Sequence, residues 1–362
     1  MQLDLNIPIL EPAGSERLSE AALAAIEYTL AGSITIRDRS DIRSVKHWSE
    51  RLEPFEHQVR NLITFCRRAP VALIADDVGM GKTISAGLII SELMVRKKVK
   101  RVLILAPKIL LPQWCDELES KFGIDAVYAT GAQLSRFARS RTSVVVTTYA
   151  SALNRMEELT NSGFDMLVLD EAHKVRNLYG TARPPRIAIA LKLALAGSAF
   201  RYTLLLTATP IHNRLWDIYS LIDLLADGRN HRNPLGDPEE FAARYLADGR
   251  NVARRINSGR VPEFRRIVGE YMVRTTRLES GLSFPERLVS PTRCEPGDIE
   301  RRLEALVREH LPNLRRLQQI SLAEALMSSP AAFADQIRTL GEAGRVSPSV
   351  VAEVRRLPGA SP

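Results

Sequence analysis

Cysteine and histidine are scarce in this sequence, and neither is grouped. The three cysteines, Cys66, Cys115 and Cys294, lie far apart, and no pair has the spacing of a zinc site or a redox motif. The odd number fits three free thiols in a reducing compartment. The six histidines form no cluster. The sequence therefore excludes a disulfide framework and offers no histidine–cysteine metal centre.

Long apolar runs are also missing. No run approaches the length that spans a bilayer, and the first residues, MQLDLNIPIL, have neither a basic region nor a long apolar stretch. We therefore expect no membrane span, no signal peptide and a cytoplasmic protein. The composition, 45% hydrophobic and 25% charged, is typical of a globular chain. The net charge of +8 favours a polyanionic partner, with nucleic acid as the first candidate.

Five short apolar runs alternate with helical stretches through the middle of the chain. Runs that are apolar throughout suit strands covered on both faces, and strands separated by helices imply a parallel sheet with right-handed crossovers. The predicted fold is therefore α/β, with ligands at the carboxyl ends of the strands. The runs are VALIA (71–75), RVLILAP (101–107), SVVVTTY (143–149), DMLVLD (165–170) and YTLLLTATP (202–210).

Two other segments flank this α/β region. An opening segment, residues 1–50, is predicted to carry a helix from about Leu18 to Leu30. A closing segment, residues 291–362, is predicted to be helical, with Ser329 as a helix cap and Pro330 at the first helical position. The α/β region itself is predicted to cover residues 51–290.

The strongest chemical signal is ADDVGMGKT, residues 75–83, which lies between the strand VALIA and a predicted helix. Glycines let the backbone wrap closely around a phosphate, and the amides of the turn and helix start point at it. Lys82 is predicted to reach the β- and γ-phosphates of ATP, and Thr83 to bind Mg²⁺. The strict G-x-x-x-x-G-K-[ST] pattern fails at its first glycine, where this chain has Asp76. The predicted nucleotide-binding residues of the loop are Asp77, Val78, Gly79, Met80, Gly81, Lys82, Thr83 and Ile84.

DEAH, residues 170–173, closes the strand DMLVLD. Asp170 at a strand end can hold Mg²⁺, and the adjacent Glu171 can orient or deprotonate the attacking water. Both are predicted to be catalytic together with Lys82. His173 has two interpretations, as a coupling residue or as the first residue of a helix.

Two weaker signals accompany these motifs. Gln58, in PFEHQ, precedes the phosphate loop by a short helix, and a glutamine so placed can read both edges of adenine. LTATP, residues 206–210, closes the fifth strand. Its hydroxyl residues Thr207 and Thr209 are predicted to pass a hydrogen-bond change from the phosphate to the far face.

The helicase motifs of superfamily two are similar to the following segments, taken in chain order: Gln58, DDVGMGKT, LILAP with Gln113–Trp114, TTY (147–149), DEAHKVRN and LTATPIHN. DDVGMGKT resembles the Swi/Snf-type branch, where an acidic residue replaces the first loop glycine, and YMVRTTR followed by FPER resembles the close of that branch's first lobe. The resemblance extends over about residues 51–290 and implies a RecA-like P-loop NTPase fold, ATP and Mg²⁺ as cofactors, and double-stranded DNA as the partner. Two positions depart from the pattern. His212 stands where the family often has glutamine, and Thr275 stands where many members have a second arginine.

The resemblance also implies a nucleic-acid face. Between Arg244 and Arg277 there are nine arginines against three carboxylates, and two interpretations of that segment remain open, as a DNA contact or as the solvated face of a helical protrusion. The residues implied to follow the DNA phosphates are Pro107, Lys108, Thr147, Thr148 and Tyr149.

The expected function is the ATP-binding lobe of a DNA-dependent ATPase that moves along duplex DNA. The 71 residues after Pro291 (362 − 291) contain no motif resembling Q-x-x-G-R-x-x-R, so we expect the second lobe to be absent from this chain and to come from a separate chain, unless the sequence is truncated. One alternative is a non-catalytic module that binds nucleotide or DNA. A less favoured alternative is a DEAH-type RNA helicase, since those proteins usually carry TGSGKT and SAT where this chain has VGMGKT and TAT.

Overall fold

The computed structural model describes residues 34, 36–181, 183–281, 290, 295–310 and 314–356. The chain forms two compact units, Met1–Ser283 and Phe284–Pro362. The predicted helix at Leu18–Leu30, the FPER segment and Cys294 lie outside the described residues. None of the helices in the described part of the chain is long and apolar enough to cross a membrane.

A seven-stranded sheet forms the centre of the first unit. Its order is β3-β4-β2-β5-β6-β1-β7, and each neighbouring pair is parallel. The five predicted strands are confirmed as β1, β2, β4, β5 and β6. The two edge strands β3 and β7 were not predicted, because runs of three and two residues carry no readable pattern. The strands are β1 Val71–Ile74, β2 Val102–Leu105, β3 Ala126–Tyr128, β4 Val144–Thr147, β5 Met166–Asp170, β6 Tyr202–Leu206 and β7 Met272–Val273.

The central strands are buried on both faces, as their uninterrupted apolar runs predict. In β5, Leu167 and Leu169 enter one core, while Met166 and Val168 enter the core on the opposite face. All four side chains have no exposed surface. This alternation follows from the two-residue period of a strand.

Helices cover the two faces of the sheet. One face packs on α1 Glu56–Arg68, α2 Lys82–Val95 and α3 Leu111–Phe122. The other face carries α4 Ala132–Ala138, α5 Tyr149–Leu153, α6 Met156–Thr160, α7 Arg186–Ala196, α8 Leu215–Asp227, α9 Pro238–Tyr245 and α10 Val261–Tyr271. Short 3₁₀ helices occur at Arg39–Asp41, Arg43–His47, Lys108–Leu110, Ala172–Val175 and Ser258–Arg260.

The second unit is helical and has its own core. Its helices are α11 Asp298–His310, α12 Arg316–Ser328, α13 Pro330–Glu342 and α14 Pro348–Arg355. Leu303, Leu322, Phe333 and Val354 are buried together in its centre. The predicted cap is confirmed, because the side chain of Ser329 accepts a 3.1 Å hydrogen bond from the backbone of Ala332.

Candidate active site

The phosphate loop connects β1 to α2. Gly79 and Gly81 have φ angles of 86° and 72°, in the left-handed region that favours glycine. A Cβ at Gly81 would also lie 2.5 Å from Nε2 of Gln58. Gly81 caps α2 and Lys82 begins it. The amides of the first helical turn have no acceptor within the helix, an arrangement that can bind an anion.

Lys82 folds back over this loop. Its Nζ donates to the backbone carbonyls of Asp76 at 3.0 Å and Asp77 at 3.3 Å. Burial lowers the pKa of Lys82, while the nearby carboxylates, Glu171 foremost, act in the opposite direction. The ammonium group therefore lies within the electrostatic reach of the DEAH carboxylates, although the two motifs are separated by 88 residues (170 − 82).

Asp76, which replaces the usual first glycine of the loop, is fully buried. One carboxylate oxygen accepts a 2.7 Å hydrogen bond from the side-chain amide of Asn61 on α1, and the other accepts a 2.7 Å bond from the backbone N–H of Thr275. Asn61 also donates to Ser85 on α2 at 3.1 Å. The aspartate thus joins the loop to α1 and to the segment after β7, which explains the departure from the strict pattern.

The segment after β7 also contacts the exposed part of the loop. Arg274 lies 3.3 Å from one carboxylate oxygen of Asp77, and the backbone N–H of Arg277 donates to the other at 3.1 Å. The guanidinium of Arg277 donates to the carbonyl of Val78 at 2.8 and 3.1 Å. Two of the nine arginines between Arg244 and Arg277 therefore lie beside the phosphate loop rather than on a helical protrusion.

Helix α1 supports the loop from the other side. Gln58 is buried, and its amide accepts from the backbone of Phe55 at 3.0 Å and donates to the carbonyl of Met80 at 3.1 Å. His57 places Nε2 2.8 Å from the same carbonyl. The amide of Gln58 thus holds the loop in this structure, and its role in reading adenine stays a prediction.

The DEAH carboxylates lie at the end of β5. Asp170 accepts from the indole Nε1 of Trp114 at 2.8 Å and from the backbone of Glu171 at 2.9 Å. Burial raises the pKa of Asp170, which the indole hydrogen bond opposes. The hydroxyl of Tyr149 donates to the Asp170 carbonyl at 2.6 Å. Three elements, α3, β5 and α5, therefore fix the position of this carboxylate.

Glu171 has a φ of 53°, in the left-handed region that is costly for a residue with a side chain. Its side chain is about one-third exposed, and one carboxylate oxygen lies 2.9 Å from Nδ1 of His173. That contact lacks hydrogen-bond geometry. Burial lowers the pKa of His173, and Glu171 opposes the shift. His173 lies in a 3₁₀ helix, in keeping with its interpretation as a residue at a helix start. It also touches the candidate base Glu171, in keeping with its interpretation as a coupling residue.

Strand β6 lies between β1 and β5 in the sheet and leads into LTATP. Thr207 is buried, and its Oγ1 accepts from the backbone of Thr209 at 3.2 Å, while Thr209 itself is exposed. Beyond it, the carboxylate of Asp217 accepts the backbone N–H groups of residues 212 and 213 at 3.0 Å each and lies 3.7 Å from Arg176. Asp217 therefore connects the segment after DEAH to the turn after LTATP.

The residues predicted for Mg²⁺ suit that ion. Mg²⁺ is usually held by one or two carboxylates, with phosphates and waters completing the shell. Asp170 has a fixed carboxylate whose two oxygens keep spare lone pairs after the contacts above, and Thr83 lies half-buried in the first turn of α2. No group of three or more His, Cys, Asp or Glu that could hold a metal occurs among the described residues.

The residues implied for nucleic acid lie at the ends of two neighbouring strands. Leu105 of β2 pairs with Thr147 of β4, so Pro107 and Lys108 lie next to the 147–149 segment. Lys108 is exposed and Thr148 half-buried. Thr147 and Tyr149, however, are buried and donate their hydroxyls inward, so only their backbone could meet a ligand there.

Sequence reasoning missed several residues that position the site. Asn61 and Asp217 had no motif spacing to mark them, and nothing in the sequence linked Trp114 to Asp170. Thr275 was noted only as a departure from a pattern, and the count of arginines did not separate Arg277 from its neighbours. A buried aspartate in place of a loop glycine was the available signal for a partner such as Asn61, because buried carboxylates need donors.

Comparison with known proteins identifies the class. Residues 56–322 match the family model described as the SNF2-related domain. That match covers most of the chain, and the chain belongs to the SNF2-related family. The expected α/β fold, RecA-like with helices on both faces, is confirmed.

Individual relatives agree with this assignment. The chain is 32% identical over 232 residues to the uncharacterized ATP-dependent helicase YqhH of Bacillus subtilis (strain 168), over 63% of this chain and 37% of that protein. It is 34% identical over 157 residues to the RNA polymerase-associated protein RapA of Pasteurella multocida (strain Pm70), over 40% of this chain and 16% of that protein. The chain thus spans well under half the length of these relatives.

A solved structure shows the same fold. The Sulfolobus solfataricus SWI2/SNF2 ATPase core in complex with dsDNA superposes with a TM-score of 0.51 at 18% identity, covering 84% of this chain and 70% of that one.

Proposed function

We propose that this chain is the ATP-binding lobe of a DNA-dependent ATPase of Swi/Snf type, which couples ATP hydrolysis to movement along duplex DNA. The supporting observation is that Lys82 follows the carboxyl end of β1 while the DEAH carboxylates end β5, so both motifs lie at the same end of one parallel sheet. β6 separates β1 from β5, so the two motifs flank a gap of roughly two strand spacings, about 10 Å. A cation for the phosphates and a carboxylate pair for Mg²⁺ and water are the groups that hydrolysis of a nucleoside triphosphate requires.

Each residue then has a defined task. The loop amides and Lys82 bind the phosphates of ATP, and Thr83 with Asp170 would hold the Mg²⁺ that neutralises charge on them. Glu171 orients or deprotonates the attacking water. Asp76, Asn61 and Trp114 do not touch the nucleotide; they keep the loop and Asp170 in place.

Duplex DNA is the proposed track. The Sulfolobus core, which has the same fold, forms a complex with dsDNA, and the exposed Lys108 of this chain lies at the ends of β2 and β4 beside Thr148. The VGMGKT and TAT sequences favour this over an RNA helicase. Stimulation by duplex DNA compared with duplex RNA separates the two.

We further propose that a second RecA-like lobe completes the site. In superfamily two, ATP binds between two lobes, and the resemblance implies that an arginine finger comes from the second. Since such an arginine is typically worth roughly 10³–10⁵ in rate, this chain alone should bind ATP but turn it over slowly. Addition of a second lobe should restore hydrolysis. Robust turnover by the purified chain would contradict this part of the proposal.

The test measures nucleotide binding and phosphate release separately. Lys82→Ala should weaken Mg-ATP binding by about tenfold or more, because a charge-assisted contact contributes about 1.5–3 kcal/mol. Lys46→Ala, which removes an exposed lysine of the same domain, is the matched control. Identical ATP titrations for Lys82→Ala and the parent would reject the nucleotide site.

A further inference from the structure

A second strongly charged feature lies at the opposite end of the sheet. A cavity of about 550 Å³ is lined by Arg67, Arg68, Arg229, Arg265 and Arg266, with Glu270 as its acidic residue. We call it the arginine cavity. Its lining carries five positive charges and one negative charge. Arg265 and Arg266 belong to the arginine-rich segment between Arg244 and Arg277, for which a DNA contact is one open interpretation. None of the roles assigned to the ATP site uses the lining residues.

Three elements bring these arginines together. Arg67 and Arg68 end α1, directly before β1. Arg229 follows α8, and its neighbour Gly228 packs against Val71, the first residue of β1. Arg265 and Arg266 lie on α10, which runs straight into β7.

The arginine cavity is therefore at the amino ends of β1 and β7, whereas the phosphate loop follows the carboxyl end of β1. The four residues of β1 alone separate the two by about 13 Å, at roughly 3.3 Å per residue. A phosphate bound in the cavity would thus be distinct from the phosphates of ATP.

Inner contacts build the floor of the cavity. Arg68 donates to the carbonyl of Met272 at 3.1 Å, and Arg229 donates to the carbonyl of Arg68 at 2.5 Å. The guanidinium of Arg229 also lies 4.6 Å from the centre of the Tyr271 ring. Two half-buried guanidinium groups are thereby fixed next to each other, and their mutual repulsion adds to burial in lowering the pKa of Arg68.

The outer arginines are exposed and sparsely paired. Arg266 forms an ion pair with Glu270 at 2.5 Å. Among the ion pairs of the described residues, none involves Arg67, Arg68, Arg229 or Arg265. Repelling cations held together in this way favour a bound anion, and the planar guanidinium fork matches phosphate oxygens.

We propose that the arginine cavity is a phosphate-binding site, separate from the ATP site, that takes the sugar–phosphate backbone of a nucleic acid. An open cavity lined by exposed arginines presents its charge to a polymer passing over it better than it encloses a small anion. The choice of nucleic acid rests on the proposed function, whereas the phosphate chemistry does not.

Gly269 permits a test that leaves every arginine in place. It lines the cavity on α10, and a Cβ there would meet nothing within 4 Å. Gly269→Glu therefore places a carboxylate in the cavity, while Gly269→Ala adds only a methyl group. Both residues favour helix more than glycine does, so both variants should fold, which thermal melting checks. Arg265→Gln, which removes one exposed cation, provides a second variant.

Binding of a short DNA duplex is measured over a range of salt concentrations. We expect Gly269→Glu and Arg265→Gln to bind about tenfold more weakly than Gly269→Ala. The slope of log affinity against log salt should become shallower by about 0.9 for each phosphate that the variant no longer neutralises. In a parallel arm, inorganic pyrophosphate is titrated into the same variants in the Lys82→Ala background. That substitution weakens binding at the phosphate loop, so the titration measures binding at the arginine cavity.

The arms separate the outcomes. Weaker DNA binding with an unchanged affinity for a fluorescent ATP analogue supports a nucleic-acid site. Weaker pyrophosphate binding alone supports a phosphate site for a free anion and removes the nucleic acid from the proposal. Equal binding of both ligands by all variants, or no binding of either by the parent, would overturn it. A failure of the ATP-site proposal would appear instead in the ATP titrations of Lys82→Ala.

Discussion

Replacement of Asp76 by glycine would restore the usual first glycine of a phosphate loop, and we expect it to destabilise this protein. The carboxylate has no exposed surface and accepts one 2.7 Å hydrogen bond from Asn61 and one from Thr275. Glycine would leave both donors without their acceptor in a buried site.

The size of the effect follows from these two contacts. A hydrogen bond to a charged group contributes about 1.5–3 kcal/mol, so the loss of two predicts about 3–6 kcal/mol. Added backbone freedom of glycine costs roughly 0.5–1 kcal/mol more. Asp76→Asn keeps the oxygen that faces Thr275 but turns a donor towards Asn61, so its cost should be about half as large. The total stability of a domain is only about 5–15 kcal/mol.

Urea denaturation of the parent and the two variants measures these differences. Asp125→Gly is the matched control, because Asp125 is exposed in the loop between α3 and β3. We expect the denaturation midpoint to fall in the order parent, Asp76→Asn, Asp76→Gly, with Asp125→Gly close to the parent. If Asp76→Gly unfolded at the same midpoint as Asp125→Gly, Asp76 would not join the three elements as described.

Three further outcomes test other parts of the site. Glu171→Gln, measured with a second lobe present, should lower ATP hydrolysis by about a hundredfold or more while ATP binding persists; undiminished turnover would remove Glu171 from water activation. Burial raises the pKa of Cys66 to about 12 and that of Cys115 to about 11. In a Cys294→Ser background, neither thiol should therefore react with a thiol reagent at neutral pH until the protein unfolds. Rapid labelling of the native chain would contradict this. Burial lowers the pKa of His173 below its ordinary 6.5, so on acidification the imidazole is protonated in the unfolded chain before it is protonated in the folded one. The free energy of unfolding of the parent should therefore fall relative to that of His173→Gln as the pH drops below 6.5. Parallel plots of unfolding free energy against pH would show that protonation of His173 is not linked to folding.

The nucleotide loop shows how much of a site can be predicted from residues that are neighbours in the sequence. Lys82 could be assigned from a strand, a glycine turn and a helix start that follow one another in sequence, since a helix amino terminus forms its anion site from adjacent amides. The buried runs of β1, β2, β4, β5 and β6 were equally readable, because a strand covered on both faces must be apolar throughout. The positions of Asp170 and Thr207 at the same sheet edge followed from the rule that parallel strands end on one side.

The sequence by itself thus determined the parallel sheet, the phosphate loop and the acidic pair, because each depends on residues that are neighbours along the chain. Only the tertiary structure decided what holds them. Asp76 meets Thr275 across 199 positions, and Trp114 meets Asp170 across 56, and no periodicity marks such pairs. The inward turn of Tyr149 and the gathering of Arg67, Arg229 and Arg265 also depend on how separate elements pack, since a side chain's partners are set by the elements that surround it and not by its own segment.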